Sequence, residues 1–352
     1  MALRRLAIDN LRCLERVEIE PAGGLNFLTG PNASGKTSLL EAIFFLGRGR
    51  TFRGGRREAA IRESAEMLRV VGHLVEGEVI GVEIRQGEWV ARAAGKSVES
   101  LADLARLLPV QLVDPEIHRL VQEGPGERRR YLDWAAFHVK PQFLHVWRDY
   151  QRALRQRNAA LKAGTPDSGL RVWDRHLAAA GGALDELRAE VLALLAAPVQ
   201  EASAALLGEA VELEYRPGHA GRVSLGAALE AGRDRDRRLG TTQAGPHRAD
   251  INVTFESHKA RGWVSRGQQK LVAAALVLGQ ARLLAPLWDG RGVLLVDDPA
   301  AELDGQRLAA MLAYVRTLPF QVFLTGLDQR VLDAVEPDRV FHVEQGQVAQ
   351  VV

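Results

Sequence analysis

Gly30-Pro31-Asn32-Ala33-Ser34-Gly35-Lys36-Thr37 satisfies the pattern GxxxxGK[ST] at every position. Residues of these types at this spacing hold phosphate. Gly30 and Gly35 let the backbone wrap tightly enough for successive N–H groups to point at phosphate oxygens. A helix starting at Lys36 adds its unpaired first-turn N–H groups and the positive end of its dipole. In such a loop Lys36 reaches the β and γ phosphates of ATP, and the Thr37 hydroxyl ligates Mg²⁺. A plain glycine turn ahead of a helix is the weaker reading.

Two further segments fit the same chemistry. Val293-Leu294-Leu295-Val296-Asp297-Asp298 is an apolar run ending in two acids, the text of a strand buried on both faces. Ligands sit at the carboxyl ends of such strands. Asp297 is expected to hold Mg²⁺, largely through water. Asp298 is expected to polarise the water that attacks the γ phosphate. Neighbouring strand residues face opposite ways, so Asp298 must lie where the strand ends, and Pro299 agrees. Val264-Ser265-Arg266-Gly267-Gln268-Gln269-Lys270 precedes a helical run, Leu271 to Leu284. Serine at the N-cap with glycine two positions on offers a second anion-binding helix end.

These segments need an α/β frame, and the periodicity supplies one. Strands are predicted at Leu3 to Ile8, Arg16 to Ile19 and Leu25 to Thr29, with a helix from Lys36 to Leu46. Leu68 to Ala94 alternates and is broken at Glu76-Gly77 and Gln86-Gly87, which reads as a β-meander. A short helix at Leu101 to Leu107 and a buried strand at Val110 to Val113 follow. From about Arg128 to Ala231 the pattern is amphipathic helix, punctuated at Gly164-Thr165-Pro166, Gly181-Gly182, Pro198 and Gly208, with a brief strand at Val211 to Tyr215. Near Thr241 the α/β text returns. The expected organisation is an ATPase head from 1–115 and 240–352, interrupted by a helical insert at 116–239.

Composition limits the partners. The single cysteine, Cys13, excludes an internal disulfide and fits a reducing cytoplasm. MALRRLAIDN lacks the apolar core of a signal peptide. The apolar stretch Leu271 to Leu278 is too short to cross a bilayer, so no membrane partner is expected. Net charge is only +2, but nine basic residues lie between Arg128 and Lys162 against Asp133 and Asp149. Such an excess attracts a polyanion or forms a solvated helix face. Tyr131, Trp134, Phe143, Trp147 and Tyr150 fall at mainly helical spacings there, and core is the better reading of them than base stacking.

The motif set resembles ABC-type ATPases of the SMC/RecN/RecF group. Asn10-Leu11-Arg12 before the phosphate loop, and Lys36-Thr37-Ser38-Leu39-Leu40-Glu41-Ala42-Ile43 within it, carry the likeness. Arg128-Arg129-Arg130-Tyr131-Leu132-Asp133-Trp134, Gln156-Arg157-Asn158, Gly245-Pro246-His247-Arg248-Ala249-Asp250 and Ser265-Arg266-Gly267-Gln268-Gln269-Lys270 resemble the RecF family in particular. The resemblance implies a P-loop NTPase of ABC/SMC head type with a β-meander subdomain and a mostly helical inserted domain. It implies that Ser265, Arg266, Gly267 and Gln268 bind the γ phosphate held by a second copy. Arg12 and Ser38 would join the nucleotide site, Gln111 would be a Q-loop ligand of Mg²⁺ and part of the catalytic set, and Ala301-Glu302-Leu303-Asp304 would be the D-loop.

The implied activity is slow, DNA-stimulated ATP hydrolysis by an ATP-dependent homodimer that binds DNA. It would act in recombinational repair with RecR and RecO to direct RecA onto single-stranded gaps. An ATP-gated scaffold that meets DNA only through partner proteins is the alternative, and a transporter ATPase subunit fits less well. The chain departs from the family at Ala33, where glycine is usual, at Ser38, where asparagine is usual, and at Thr325, where many ABC ATPases carry a switch histidine. His247 and Arg248 are expected to be structural or coupling residues.

Overall fold

A computed structural model describes residues 2–75, 77–85, 87–220, 223–301, 303–327 and 336–351. Its elements in chain order are β1 (Leu3–Leu11), β2 (Leu14–Ile19), β3 (Leu25–Thr29), α1 (Lys36–Arg48), β4 (Met67–Leu74), β5 (Val79–Arg85), β6 (Glu88–Ala93), β7 (Lys96–Ser97), α2 (Leu101–Leu107) and β8 (Val110–Val113). Then come α3 (Arg119–Gln122), α4 (Pro125–Val139), α5 (Phe143–Lys162), α6 (Asp167–Leu207), β9 (Glu212–Arg216), α7 (Leu225–Ala231), α8 (Arg233–Leu239), β10 (Asp250–Phe255), β11 (His258–Lys259), α9 (Ala260–Trp263) and α10 (Arg266–Leu284). The last are β12 (Val293–Val296), α11 (Gly305–Arg316), β13 (Gln321–Thr325), β14 (Arg339–Glu344) and β15 (Gln347–Gln350).

Residues Met1–Ile117 and Ala285–Val352 form one compact unit, and His118–Leu284 form the other. The first unit holds two sheets. One is antiparallel, ordered β2-β1-β4-β5-β6-β7, with β4, β5 and β6 as the expected meander. The other is ordered β15-β14-β3-β13-β12-β8, parallel except for its edge strand β15. Helix α1 is apolar almost all round, and Leu39, Leu40, Ile43, Phe45 and Leu46 are fully buried. It joins Leu6, Ile8, Val70 and Ile80 of the first sheet to Leu28, Leu295, Phe323 and Phe341 of the second in a single apolar cluster. Val293-Leu294-Leu295-Val296 is buried throughout, as a central parallel strand must be.

The second unit is larger than the insert expected at 116–239. The α/β text that resumes near Thr241 does not return to the head until Ala285. β10 and β11 instead join β9 in a separate sheet, ordered β11-β10-β9. α10 belongs to this unit as well, packed along α6. Periodicity identifies a strand but not the sheet it joins, which explains the misplaced boundary.

Gly181-Gly182 and Pro198 do not punctuate the chain either, because α6 runs unbroken through all three. A Cβ at Gly181 would overlap Leu225 and lie 3.2 Å from the Tyr150 ring, so this glycine serves close packing. Pro198 and Val199 lie where Gly279 of α10 presses on α6, with a Cβ there 2.7 Å from the Val199 Cα. Residues Asp167–Leu207 and Arg266–Leu287 reach the length and hydropathy of a membrane span, contrary to the expectation from Leu271 to Leu278. The apolar window of the second is 78% buried within the fold, the condition of a core helix.

Buried ion pairs fasten the second unit. Arg157 on α5 is fully buried and donates to Asp174 of α6 at 2.7 Å, to Asp236 of α8 at 2.7 Å and to Thr242 at 2.8 Å. Arg188 of α6 grips both oxygens of Asp133 on α4 and donates to the Pro246 carbonyl. Arg128 of α4 pairs with Asp250 of β10 and collects the carbonyls of Leu120, Val121 and Glu123 at the end of α3. Removing one partner of such a pair strands the other without compensation, at about 3–5 kcal/mol. Arg157→Ala is therefore expected to destabilise this unit by about that amount in urea unfolding, against about 0.5 kcal/mol or less for exposed Arg148→Ala. Equal effects of the two substitutions would refute the role of the Arg157 network.

Candidate nucleotide site

The phosphate loop follows the carboxyl end of β3. Gly30 has φ 141° and Gly35 φ 119°, backbone that glycine adopts freely. Neither position has room for a side chain. A Cβ on Gly30 would overlap the Val343 carbonyl, and one on Gly35 would come within 3.1 Å of Cys13 Sγ. Ala33 is also left-handed, at φ 60°, so alanine in place of the usual glycine costs about 1–2 kcal/mol. Helix α1 begins with no side-chain cap, which leaves its first-turn amides open to the loop.

A cavity of about 290 Å³ sits over this loop, lined by Asn32 to Ser38 together with Arg12, Cys13, Arg53, Asp297, Asp298 and Thr325. Parallel pairing brings these groups together. Thr325 ends β13 beside Leu28 of β3, and Asp297 follows β12, whose Val296 pairs with Leu324. The acids therefore stand on the carboxyl edge of the sheet next to the loop, the position expected of them. Asp298 takes φ 43°, which turns it off the strand.

Lys36 is buried, and its Nζ donates to the carbonyls of Gly30 at 2.6 Å and Pro31 at 2.8 Å. Burial lowers its pKa, opposed by Asp298 and Asp297. Ser34 Oγ is buried without a hydrogen-bond partner among the described residues. Thr37 Oγ1 donates to Asp297 Oδ1 at 3.0 Å. Two oxygens on adjacent corners of a Mg²⁺ octahedron with bonds of 2.0–2.1 Å lie about 2.9 Å apart, so Thr37 and Asp297 suit that ion. Among the described residues no group of three His, Cys, Asp or Glu could hold a metal by itself. The remaining ligands would have to be water and phosphate, as is usual for Mg²⁺.

Thr325 has a role that the sequence did not disclose. Its Oγ1 donates to Asp297 Oδ1 at 2.8 Å and accepts from the Asp298 N–H at 2.8 Å. The hydroxyl hydrogen is thus spent on the acids, and contact with a γ phosphate in the manner of a switch histidine is not what this geometry offers. Burial, and then the neighbouring Asp297 charge, raise the Asp298 pKa, with Lys36 acting the other way. A carboxylate raised in this way is a stronger base for a water proton.

Glu41 is a second residue whose role went unread. Fully buried on α1, it accepts from Arg12 Nε at 3.0 Å and Nη2 at 2.9 Å, accepts from the Thr51 hydroxyl, and lies 3.7 Å from Arg53 Nε. Arg12 also donates to the Ala59 carbonyl. One carboxylate therefore holds two guanidiniums on the cavity wall. At i, i+4 from Thr37, Glu41 reads from spacing as ordinary helix packing, with no mark of this role.

Gln111 does not join the site. It is buried as the second residue of β8 and pairs with Leu294, three residues before Asp297. At the rise of a strand that places it about 10 Å short of the carboxyl edge. A Q-loop residue belongs at a strand end, and β8 ends at Val113. Ser265 to Gln268 lie in the other compact unit, so the phosphate-loop cavity is lined without them. The Ser265 N–H donates to Gln268 Oε1 at 3.0 Å and the Gln268 N–H to Ser265 Oγ at 3.3 Å, a reciprocal capping box on α10. Ser265 and Arg266 are exposed. The Ser265 hydroxyl is used only as an acceptor, so its hydrogen remains free to donate to an anion. Asp304 caps α11 through the Arg307 N–H at 2.9 Å, while Glu302 of the expected D-loop lies outside the described residues.

About half of the basic stretch from Arg128 to Lys162 is engaged in ion pairs, two of them buried. Arg128 and Arg157 are buried in the pairs above, Lys140 meets Glu190 at 2.5 Å, and Arg130 and Arg152 pair with Glu127 and Asp149. Tyr131, Phe143 and Tyr150 are buried, as the core reading of the aromatic residues requires. His247 is structural: its ring bonds the Tyr150 hydroxyl at 2.6 Å and the Thr242 carbonyl at 3.0 Å, and burial lowers its pKa.

Thr325→Val keeps the shape of the side chain but removes both hydrogen bonds to the acids. Losing a support of this kind typically costs about 10- to 100-fold in activity or metal affinity. We expect ATP hydrolysis to fall by that factor while ATP binding measured without Mg²⁺ stays unchanged. Wild-type turnover in this variant would show that Thr325 does not orient the acids.

Residues 2–349 match the family described as the RecF/RecN/SMC N-terminal domain. The DNA replication and repair protein RecF of Pseudomonas syringae pv. tomato is 40% identical over 365 residues, covering 99% of this chain and 98% of that protein. RecF of Pseudomonas entomophila is 39% identical over the same span. A solved structure described as the recombination mediator protein RecF with ATP in the RecFOR pathway has a TM-score of 0.88 at 27% identity, covering 100% of this chain and 98% of that one. An SMC head bound to the C-winged helix domain of ScpA has a TM-score of 0.60 at 16% identity over 100% of this chain and 97% of that one, a likeness of fold alone. A match running from residue 2 to residue 349, with 40% identity to RecF along nearly the whole chain, makes this protein a member of the RecF/RecN/SMC family of ABC-type ATPases, on the branch of the RecF proteins of DNA replication and repair.

Proposed function

We propose that the protein is an ATP-driven clamp on DNA in recombinational repair, in which two copies close over two nucleotides. One observation carries the reading. The phosphate-loop cavity is built from one compact unit, and a second anion-binding helix end, capped by exposed Ser265, stands in the other with its hydroxyl hydrogen unspent. Lys36 would exchange the carbonyls of Gly30 and Pro31 for the β and γ phosphates. The loop amides of Asn32, Ala33 and Gly35, the Ser34 hydroxyl and the helix amides through Ser38 would hold the rest of the chain of phosphates. Arg12 and Arg53 would meet its charge from the opposite wall.

Thr37 and Asp297 would hold Mg²⁺, which neutralises charge on the phosphates as hydrolysis proceeds. Asp298 would take the proton of the attacking water, slowly, with stimulation by DNA. Ser265, Arg266, Gly267 and Gln268 would bind the γ phosphate of the second copy, so affinity between copies would follow nucleotide state. By analogy with the RecF of the RecFOR pathway, RecR, RecO and RecA would be its partners at single-stranded gaps in the cytoplasm. Internal pairing of so much of the Arg128 to Lys162 charge favours one competing reading, a scaffold that reaches DNA only through partners.

Asp298→Asn is expected to lower hydrolysis by roughly 10²–10⁴-fold, the usual worth of a general base, and to trap ATP-bound dimers. Ser265→Arg should bind ATP yet remain monomeric. Sedimentation in ATP and in ADP reads both effects, and a wild-type mass that is the same in the two states sinks the clamp.

A further inference from the structure

A second cleft, of about 570 Å³, opens in the His118–Leu284 unit, away from any residue of the phosphate loop in sequence. Arg129, Asn158, Thr241, His247 and Arg248 line it, with Pro125 at the first turn of α4. No carboxylate is among the lining residues.

The cations here differ from the buried arginines of the unit. Arg128, Arg157 and Arg188 are all committed to aspartates. Among the described residues neither Arg129 nor Arg248 forms an ion pair. Arg129 donates only to the Ala249 carbonyl at 2.7 Å, and Arg248 only to Gln243 Oε1 at 2.8 Å. The acids near Arg129 are already taken, Asp250 by Arg128 and Asp133 by Arg188. Four guanidiniums therefore share two carboxylates, and the surplus charge faces the cleft. The crowding shows in Arg129 itself, whose pKa is lowered by burial and by Arg188.

The other lining groups are donors as well. Asn158 Oδ1 is occupied by the Thr242 N–H at 2.8 Å and the Thr242 hydroxyl at 2.7 Å, which leaves its amide nitrogen unbonded. The Thr241 hydroxyl accepts from Gln243 Nε2 at 2.9 Å and keeps its own hydrogen. His247 is held at both ring nitrogens and contributes shape. A pocket of spare donors with net positive charge and no spare acceptor suits phosphate oxygens.

The approach to the cleft suggests a polymer. Arg155, Asn158 and Lys162 share one face of α5 at i, i+3 and i+7, about 10 Å from end to end. Arg155 and Lys162 are exposed and unpaired among the described residues, and Lys162 lies beside Gly240, 3.6 Å from where its Cβ would be, next to Thr241. A row of cations leading to a donor-lined cleft tracks a chain of phosphates, where a single free anion would need only the cleft.

We propose that this cleft holds a backbone phosphate of DNA, with Arg129 and Arg248 as its charged ligands and Arg155 and Lys162 guiding the strand toward it. The proposal rests on the DNA-binding reading above and gives it a location. No Phe, Tyr or Trp lines the cleft, and the His247 ring is held at both nitrogens, so the contact would be blind to sequence and sensitive to salt.

The test is fluorescence anisotropy with a labelled oligothymidine and a labelled mixed-sequence duplex, in ATP and in ADP, across a salt series. Arg129→Gln/Arg248→Gln is expected to weaken DNA binding by about tenfold or more. It should also flatten the log–log salt slope by roughly 0.7–0.9, the loss of one neutralised phosphate. The doubly lysine-substituted protein, Arg129→Lys/Arg248→Lys, should recover most of that slope. Arg248→Glu alone breaks only the bond to Gln243 and so guards against a folding defect; it should weaken binding further than Arg248→Gln. ATP affinity, read separately, should match wild type in all four. If wild type binds DNA and the glutamine variant binds equally well with the same slope, the cleft is not the site, although DNA binding stands. If inorganic phosphate protects wild type but not the variant against thermal unfolding while DNA affinity is unchanged, the cleft takes only a free anion and the proposal fails. If wild type binds DNA in no nucleotide state, the DNA-binding reading falls and takes the cleft with it.

Discussion

The first-turn amides of a helix have no partners within the helix, and the ATPase unit is arranged to leave those of α1 uncovered. That single exposed helix end dictates much of what surrounds it. The loop ahead of it must pass through left-handed backbone at Gly30, Ala33 and Gly35, pressed against Val343 and Cys13. The helix itself must be anchored, so it is buried on nearly every side between two sheets. An anion bound there would bring charge that needs balancing, and Lys36, Arg12 and Arg53 all line the cavity to supply it. Two of the three are steadied by the same buried carboxylate, Glu41.

The acids opposite are organised with similar economy. Thr325 uses one hydroxyl to fix both Asp297 and the turn at Asp298. With its hydrogen on Asp297 and its oxygen receiving the Asp298 N–H, the Thr325 hydroxyl is fully engaged with the acids. Asp298, beside it, is made more basic by burial and by the charge of Asp297.

Local elements of this architecture were readable because they carry strong periodic or steric signals. The meander at residues 67–93 alternates cleanly, and β12 could be recognised from four apolar residues followed by two acids. What failed was long-range. Gly181 and Pro198 resemble helix breaks in one dimension and turn out to be contact points for Leu225 and α10 in three. Gln111 has the right residue type but the wrong depth in its strand. Arg128 and Arg157 look like surface charge until Asp250 and Asp236, far along the chain, arrive to neutralise them. Glu41 and Thr325 act through other residues, and no spacing rule marks such a role.

The two units carry different chemistry. The first offers a triphosphate cradle, and the second offers the Ser265 helix end together with a rigid, ion-paired frame. The central claim is that the terminal phosphate joins two copies of the chain. A structure of the Asp298→Asn protein with ATP and Mg²⁺ tests it most directly. The account predicts Ser265 Oγ of one copy within hydrogen-bonding distance of a γ-phosphate oxygen whose other side is held by Lys36 of its partner. A γ phosphate enclosed by one chain alone, with Ser265 turned to solvent, contradicts it.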